Sequence, residues 1–292
     1  ELGLERAVAD SLNALGNTAQ KQGDPEAART YLEESLEIRR KLADDAGAAI
    51  ALNNMALIAY EQRDLTAALT YYDQSLDILR HLGDRQAIAV AVNGKASVSF
   101  SSGDLDTAGE LYEEALTISR ELGNRRTERN VLNNLGLVAR HQGDLPRAAR
   151  LFEEGLALRR ELGDRRGVAK SLLNLAELSL ETGDEAGTRG RCAEGIDGAR
   201  DLGELRLIPE FLTVLARLYA RTGRPTIAAR LHGAVEAIRE GEGVPLSTAE
   251  DEELGRILRP ASDAISPVDY EENRSVGRAM SMEQACGLAL DC

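Results

Sequence analysis

Seven asparagines occupy two neighbouring positions in a 40-residue register: Asn13, Asn53, Asn93 and Asn133 on one, and Asn54, Asn134 and Asn174 on the next. A primary amide donates and accepts at once, so a row of them could hold an extended peptide backbone without reading its side chains. Asparagine is a mediocre helix former, and its recurrence at two positions suggests more than filler. The same amides could instead bond a neighbouring helix. A second set is cationic: Arg85, Arg125, Arg126, Arg165 and Arg166. A guanidinium binds a carboxylate through two parallel hydrogen bonds, which suits an acidic ligand. Local ion pairs with Asp84, Asp164 or Glu128 are the alternative use. Tyr60, Phe100, Arg140 and His141 could add specificity to the same face, although few such contacts carry most of the energy of an interface.

Catalysis has little to stand on. His81, His141 and His232 are far apart in the chain and show no metal-ligand spacing,. His232 stands where the pattern elsewhere has an aromatic residue or leucine, so a packed core histidine is expected. The pairs Glu33-Glu34, Glu113-Glu114 and Glu153-Glu154 read as solvated helix faces, and the glycines recur as corners rather than as a phosphate-cradling loop. No enzymatic role, metal or cofactor is expected. Cys192, Cys286 and Cys292 are odd in number and lack metal spacing, which fits free thiols in a reducing cytoplasm. The net charge is −14, and residues 241–292, with 11 acidic and 4 basic side chains, supply −7 of it. Such a surface repels phosphate backbones and anionic lipid, so neither nucleic acid nor membrane is an expected partner. The chain shows no apolar run of membrane-spanning length and no signal-peptide pattern. It starts at Glu1 rather than Met, as a fragment of a longer protein would.

The elements that must position these side chains are legible in the turns. Gly-Asp occurs at Gly23-Asp24, Gly103-Asp104, Gly143-Asp144 and Gly183-Asp184, with Arg63-Asp64 and Gly223-Arg224 in the same 40-residue register. A second marker runs in parallel at Leu82-Gly83-Asp84-Arg85, Leu122-Gly123-Asn124-Arg125, Leu162-Gly163-Asp164-Arg165 and Leu202-Gly203-Glu204. Glycine ends a helix in the left-handed conformation and the following Asp caps the next one. Pro25, Pro146 and Pro225 fall where a first-turn proline forfeits no hydrogen bond,. Between markers the apolar residues keep helical spacing, as in Leu132, Leu135 and Ala139, then Ala148, Leu151, Phe152, Leu156 and Leu158,. Two turn signals per period mean two helices per period. The scarcity of aromatics, at 3%, also favours close-packed helices over sheets,.

These motifs resemble the tetratricopeptide repeat. Leu15-Gly16, Gly23, Ala28, Tyr31 and Leu36 match it in the first repeat, as do Leu135-Gly136, Gly143, Ala148, Phe152 and Leu156 in the fourth. The usual period is about 34 residues, so helices up to a turn longer are expected here. The resemblance implies an all-α, right-handed solenoid of six repeats over residues 1–240, at about 1–42, 43–82, 83–122, 123–162, 163–202 and 203–240, with capping helices over 241–292. It also places the asparagine rows in a concave groove. The groove-binding residues are then Asn13, Asn53, Asn54, Asn93, Asn133, Asn134, Asn174, Arg85, Arg125, Arg165 and His141. The Leu-Gly-Asp-Arg corner and long period are similar to a subclass found in cell-polarity scaffolds and bacterial signalling proteins.

Departures carry information too. Lys95 stands where Leu15, Met55, Leu135, Leu175 and Leu215 are its equivalents, so its stem should pack while its ammonium snorkels to water,. In the fifth repeat Thr188 and Arg191 replace the small and aromatic residues, and Gly187, Gly190, Gly195 and Gly198 weaken the second helix. That helix should be the softest of the array, either as a hinge or by drift. After Gly241, Gly243 and Pro245, Thr248 with Asp251 and Ser281 with Gln284 resemble capping boxes, with Pro260 and Pro267 between them,. The runs Ala228-Ala229-Arg230-Leu231-His232-Gly233-Ala234, Pro245-Leu246 and Gly277-Arg278-Ala279-Met280-Ser281-Met282-Glu283-Gln284-Ala285 resemble the C-terminal ends of bacterial STAND-type signal-transduction ATPases, often joined to LuxR-type DNA-binding domains. That resemblance implies a sensor arm binding a peptide or protein, or the fused switch domain itself. A scaffold for self-association and a small-molecule sensor are the alternatives.

Overall fold

The computed structural model describes residues 2–291, and among them every regular element is helical. The chain divides into two compact units, residues 1–151 and 152–292. The first contains α1 (Leu2–Lys21), α2 (Pro25–Lys41), α3 (Asp45–Glu61), α4 (Leu65–Leu82), α5 (Arg85–Ser101), α6 (Leu105–Glu121), α7 (Arg125–His141) and the start of α8 (Leu145–Glu161). The second takes the rest of α8, then α9 (Arg165–Thr182), α10 (Glu185–Leu202), a 3-10 turn (Leu205–Leu207), α11 (Ile208–Arg221) and α12 (Pro225–Gly241). It ends with α13 (Thr248–Ile257), α14 (Arg259–Ser262), α15 (Pro267–Arg278) and α16 (Met282–Leu290).

One device sets the helix starts. The side chains of Asp24, Asp44, Asp64, Asp84, Asp104, Asn124, Asp144, Asp164 and Asp184 each accept a hydrogen bond from the backbone N–H three residues on. The spacing is 20 residues throughout, and each cap contributes about 1 kcal/mol. The rhythm stops at Glu204 and Arg224, whose side chains make no such bond; a 3-10 turn precedes α11, and prolines stand in the first turns of α11 and α12. Ala43 and Arg63 take the left-handed conformation, at φ 51° and 65°, that glycine supplies at the equivalent corners.

Small residues let the two helices of a hairpin approach. In the first unit the core joins Ala19, Ala28, Leu32, Leu36, Leu52, Met55 and Ile58. A Cβ on Gly16 would lie 2.8 Å from Leu32 Cγ, so the Leu-Gly pair of the first helix makes room for a leucine of the second. Buried hydroxyls pin the same seam: Ser35 Oγ donates to the Ala9 carbonyl at 2.8 Å and Ser75 Oγ to that of Ala49 at 3.0 Å. Lys95 is half-buried, and its ammonium meets the Asp73 carboxylate at 2.5 Å, so the expected snorkelling ends on an ion pair.

In the second unit α10 is unbroken over 18 residues. Gly195 there is a packing requirement, because a Cβ would fall 2.2 Å from the ring of buried Phe211. Arg191, in the aromatic position, bonds Ser179 Oγ and Glu153. The C-terminal helices close over α11 and α12. Tyr219 Oη donates to the Ala289 carbonyl at 2.5 Å. The α12 and α15 backbones cross at glycines: a Cβ on Gly233 would lie 1.9 Å from the Arg274 carbonyl oxygen, and one on Gly277 1.9 Å from that of Arg230. The Ser281–Gln284 capping box is present, but the first box is Ser247 with Glu250, one residue earlier than Thr248 with Asp251. Asp251 turns inward instead. No described helix is long and apolar enough to cross a membrane.

Candidate functional site

Within the first unit the first helices of successive hairpins touch through an offset of 41 residues, one more than the period; in the second unit Arg217 of α11 meets Glu177 of α9 at an offset of 40. Asn54 Nδ2 donates to Asn13 Oδ1 at 3.0 Å, and Asn134 Nδ2 to Asn93 Oδ1 at 3.4 Å. A second row lies two turns further along these helices. Gln20 Nε2 donates to Glu61 at 2.9 Å, Tyr60 Oη shares a hydrogen bond with Ser101 Oγ at 2.8 Å, and the His141 ring meets Phe100 edge-on with centroids 5.1 Å apart. Both α3 and α5 thus bond the hairpin before them and the hairpin after them.

All seven asparagines are half-buried. Asn133 lies beside Asn134, with Nδ2 3.5 Å from its Oδ1, and Asn174 holds the equivalent position on α9 in the second unit. Asn53 differs. The residue that would donate to it is Gly94, where Asn54 and Asn134 stand in the neighbouring repeats, and Asn53 Oδ1 is buried without a hydrogen-bond partner. The space is taken by Tyr72, whose Oη would lie 2.4 Å from a Cβ on Gly94. Burial first, then the nearby Tyr60 and Tyr112, pushes the Tyr72 phenol up to about 12. Tyr112, bonded to Ser97 Oγ at 2.9 Å, is likewise raised to about 12 by burial.

The arginines lie elsewhere. Arg85, Arg125 and Arg165 each open a first helix, about 12 Å along its axis from the asparagine rows,. Arg85 pairs with Glu121 at 2.5 Å, Arg125 with Glu128 at 3.7 Å and Arg165 with Asp201 at 3.3 Å. Arg166 pairs with Glu204. The amide and guanidinium sets therefore occupy separate zones, and His141 belongs with the aromatic row.

The matching pattern of a family profile decides the affiliation: the tetratricopeptide repeat profile covers residues 7–81, 86–161 and 127–187. The chain belongs to the tetratricopeptide repeat family. The tetratricopeptide fold is also found in solved structures of low identity. The apo form of RapI superposes with a TM-score of 0.66 at 12% identity, covering 90% of this chain and 99% of that one. The Rap conjugation gene regulator of plasmid pLS20, in complex with the Phr* peptide, gives 0.59 at 16%, covering 92% and 75%. The Signal Transduction ATPase with Numerous Domains protein PH0952 of Pyrococcus horikoshii, which has a tetratricopeptide repeat sensor, gives 0.63 at 16%, covering 94% of this chain and 39% of that one. No curated protein matches the sequence.

One cluster was not visible in the sequence. His232, Glu236 and Asp251 bring a ring nitrogen and two carboxylate oxygens within 4.8 Å of one another. The spacing of the three histidines gave no sign of it, because Asp251 arrives from beyond the repeats. The i, i+4 pair His232 and Glu236 was the only local signal. Burial, then the charge of Arg274, pushes the His232 imidazole's pKa down.

Proposed function

We propose that the first-helix face of this tetratricopeptide array binds a peptide or protein segment in extended form. The supporting observation is the 41-residue lattice of half-buried amides. Asn13, Asn54 and Asn93 each engage a neighbour through one side-chain atom, and Asn134 through two, while a primary amide offers two donors and an acceptor with two lone pairs. The aromatic row of Tyr60, Phe100 and His141 flanks the amides and supplies side-chain selectivity. Arg85 and Arg165 can trade exposed carboxylate partners for an acidic ligand at small cost, because surface ion pairs contribute about 0–1 kcal/mol, whereas Arg125 faces the buried Glu128 and would leave it less easily.

On this reading residues 1–240 are the binding array and 241–292 its cap, acting in the cytoplasm as the sensor arm of a bacterial signalling or transcriptional regulator of the STAND or LuxR type. Support comes from the repeat-sensor ATPase, whose structure covers 94% of this chain, and from the peptide-bound Rap regulator. The role is binding rather than catalysis. A displayed library of extended peptides selected on the chain would test it. Asn93→Ala and Asn133→Ala should each weaken the selected peptides about 3- to 10-fold, the range for one lost hydrogen bond. Unchanged affinity, with the helical signal intact, would remove the amide rows from the site. Self-association in place of peptide capture would favour the scaffold role.

A further inference from the structure

The buried cluster between the last repeat and the cap has the donor set of a metal site. His232 is 3% exposed, and its Nε2 is buried without a hydrogen-bond partner. That atom lies 3.6 Å from Glu236 Oε1 and 3.7 Å from Asp251 Oδ1. Asp251 Oδ1 is likewise buried with no hydrogen-bond partner. An ion bound about 2.0–2.2 Å from nitrogen and oxygen donors needs them roughly 3.3–3.6 Å apart; the two ring-to-carboxylate distances are close to that, and with all three donors within 4.8 Å of one another a small inward shift would close them on an ion. The other ring nitrogen is already held: Nδ1 lies 3.0 Å from Tyr270 Oη. When the Tyr270 hydroxyl accepts from Nδ1–H, the Nε2 lone pair is left facing the two carboxylates, as a metal ligand requires,.

The rival occupant is Arg274, which donates to Glu236 and lies 3.5 Å from Asp251 Oδ1. Its other terminal nitrogen reaches Glu271 at 3.3 Å, so the guanidinium has a second anchor if it leaves the cluster. Glu236 keeps Arg278 on its other oxygen at 3.2 Å. We propose that His232, Glu236 and Asp251 bind a divalent transition-metal ion of the zinc class, with the ion displacing Arg274 and clipping α13 to α12. One imidazole and two carboxylates suit zinc or cobalt and leave an open position for water; the nitrogen donor disfavours magnesium and calcium.

The test is titration of the full chain with zinc by calorimetry and with cobalt by absorption spectroscopy. The expected result is one saturable site with a ligand-field band and no thiolate charge-transfer band. Asp251→Asn and His232→Gln should weaken binding at least tenfold. Arg274→Gln should strengthen it, because a competing cation is gone. Should His232→Gln fail to fold, Asp251→Asn, at a half-exposed side chain, and Arg274→Gln still decide the matter. A thiolate band, affinity unchanged by Asp251→Asn, or no binding to either the wild type or Arg274→Gln would overturn the proposal.

Discussion

Replacing Gly277 by alanine should loosen the cap even though alanine is the better helix former. At Gly277 the new Cβ would sit 1.9 Å from the Arg230 carbonyl oxygen, a backbone atom that no rotamer change can move. Contacts under 3.0 Å are essentially never seen for a Cβ, so α12 and α15 must separate by about 1 Å. A radial gap of that size forfeits roughly a quarter to a half of the dispersion energy of each contact along the seam. Overpacking of this kind costs about 1–3 kcal/mol, and the helix propensity gain of about 1 kcal/mol offsets only part of it. Gly233→Ala demands the same separation from the opposite helix. The double variant should therefore lose less than the sum of the singles. Gly198→Ala supplies the control, since a Cβ there meets nothing within 4 Å and the same substitution should stabilise α10. Urea unfolding would give the stabilities, and hydrogen exchange over α15 and α16 would locate the loss. Stabilisation by Gly277→Ala, or strict additivity of the two cap glycines, would refute the crossing argument.

Other outcomes follow from the geometry. Ala43→Gly and Arg63→Gly should each raise stability by up to about 1 kcal/mol in thermal unfolding, because a left-handed non-glycine residue costs about 1–2 kcal/mol and the gain is trimmed by unfolded-state entropy,. Tyr72, Tyr112 and Tyr270, raised from 10.0 to about 12, are phenols that the fold keeps protonated. Their stabilisation is complete below pH 10 and should be lost as pH rises from 10 to 12, read as late phenolate absorbance and falling urea midpoints. Cys192 is fully buried, and burial pushes its thiol up to about 12. Alkylation at pH 8 should spare the Cys192 peptide in the folded chain and modify it in urea; equal rates in the two would contradict the burial.

Much of the fold was legible because the helix boundaries are local chemistry. Gly23-Asp24, Gly103-Asp104 and their equivalents specify a left-handed corner and a cap within two residues, so the period yields the hairpins directly. The first box of the cap segment was misplaced by one residue because Ser247 with Glu250 and Thr248 with Asp251 satisfy the same pattern. Only tertiary structure shows that Asp251 is needed elsewhere, facing His232 and Arg274. Gly195 read as a weakness for a similar reason: its meaning is the Phe211 ring, which arrives from another helix. The asparagine positions were evident, and bonding to a neighbouring helix stood as one of their two uses; that the bonds run from amide to amide was not evident. A period of 40 says which residues are equivalent, whereas the offset of 41 depends on how neighbouring helices slide past one another. The separation of the arginines from those rows is likewise a matter of distance along the helix axis.

The 41-residue offset also bears on how such a chain can grow. Each joint links a residue of one hairpin to the next position in the following hairpin, as in Asn13 with Asn54 and Phe100 with His141. A duplicated stretch of 40 residues therefore brings both halves of a working joint with it. A duplication that is not a whole number of periods would set mismatched side chains against each other along the row. The lattice is in effect a reading frame for duplication, and at Gly94 the same register holds a different joint, with Tyr72 filling the space where other repeats have an amide.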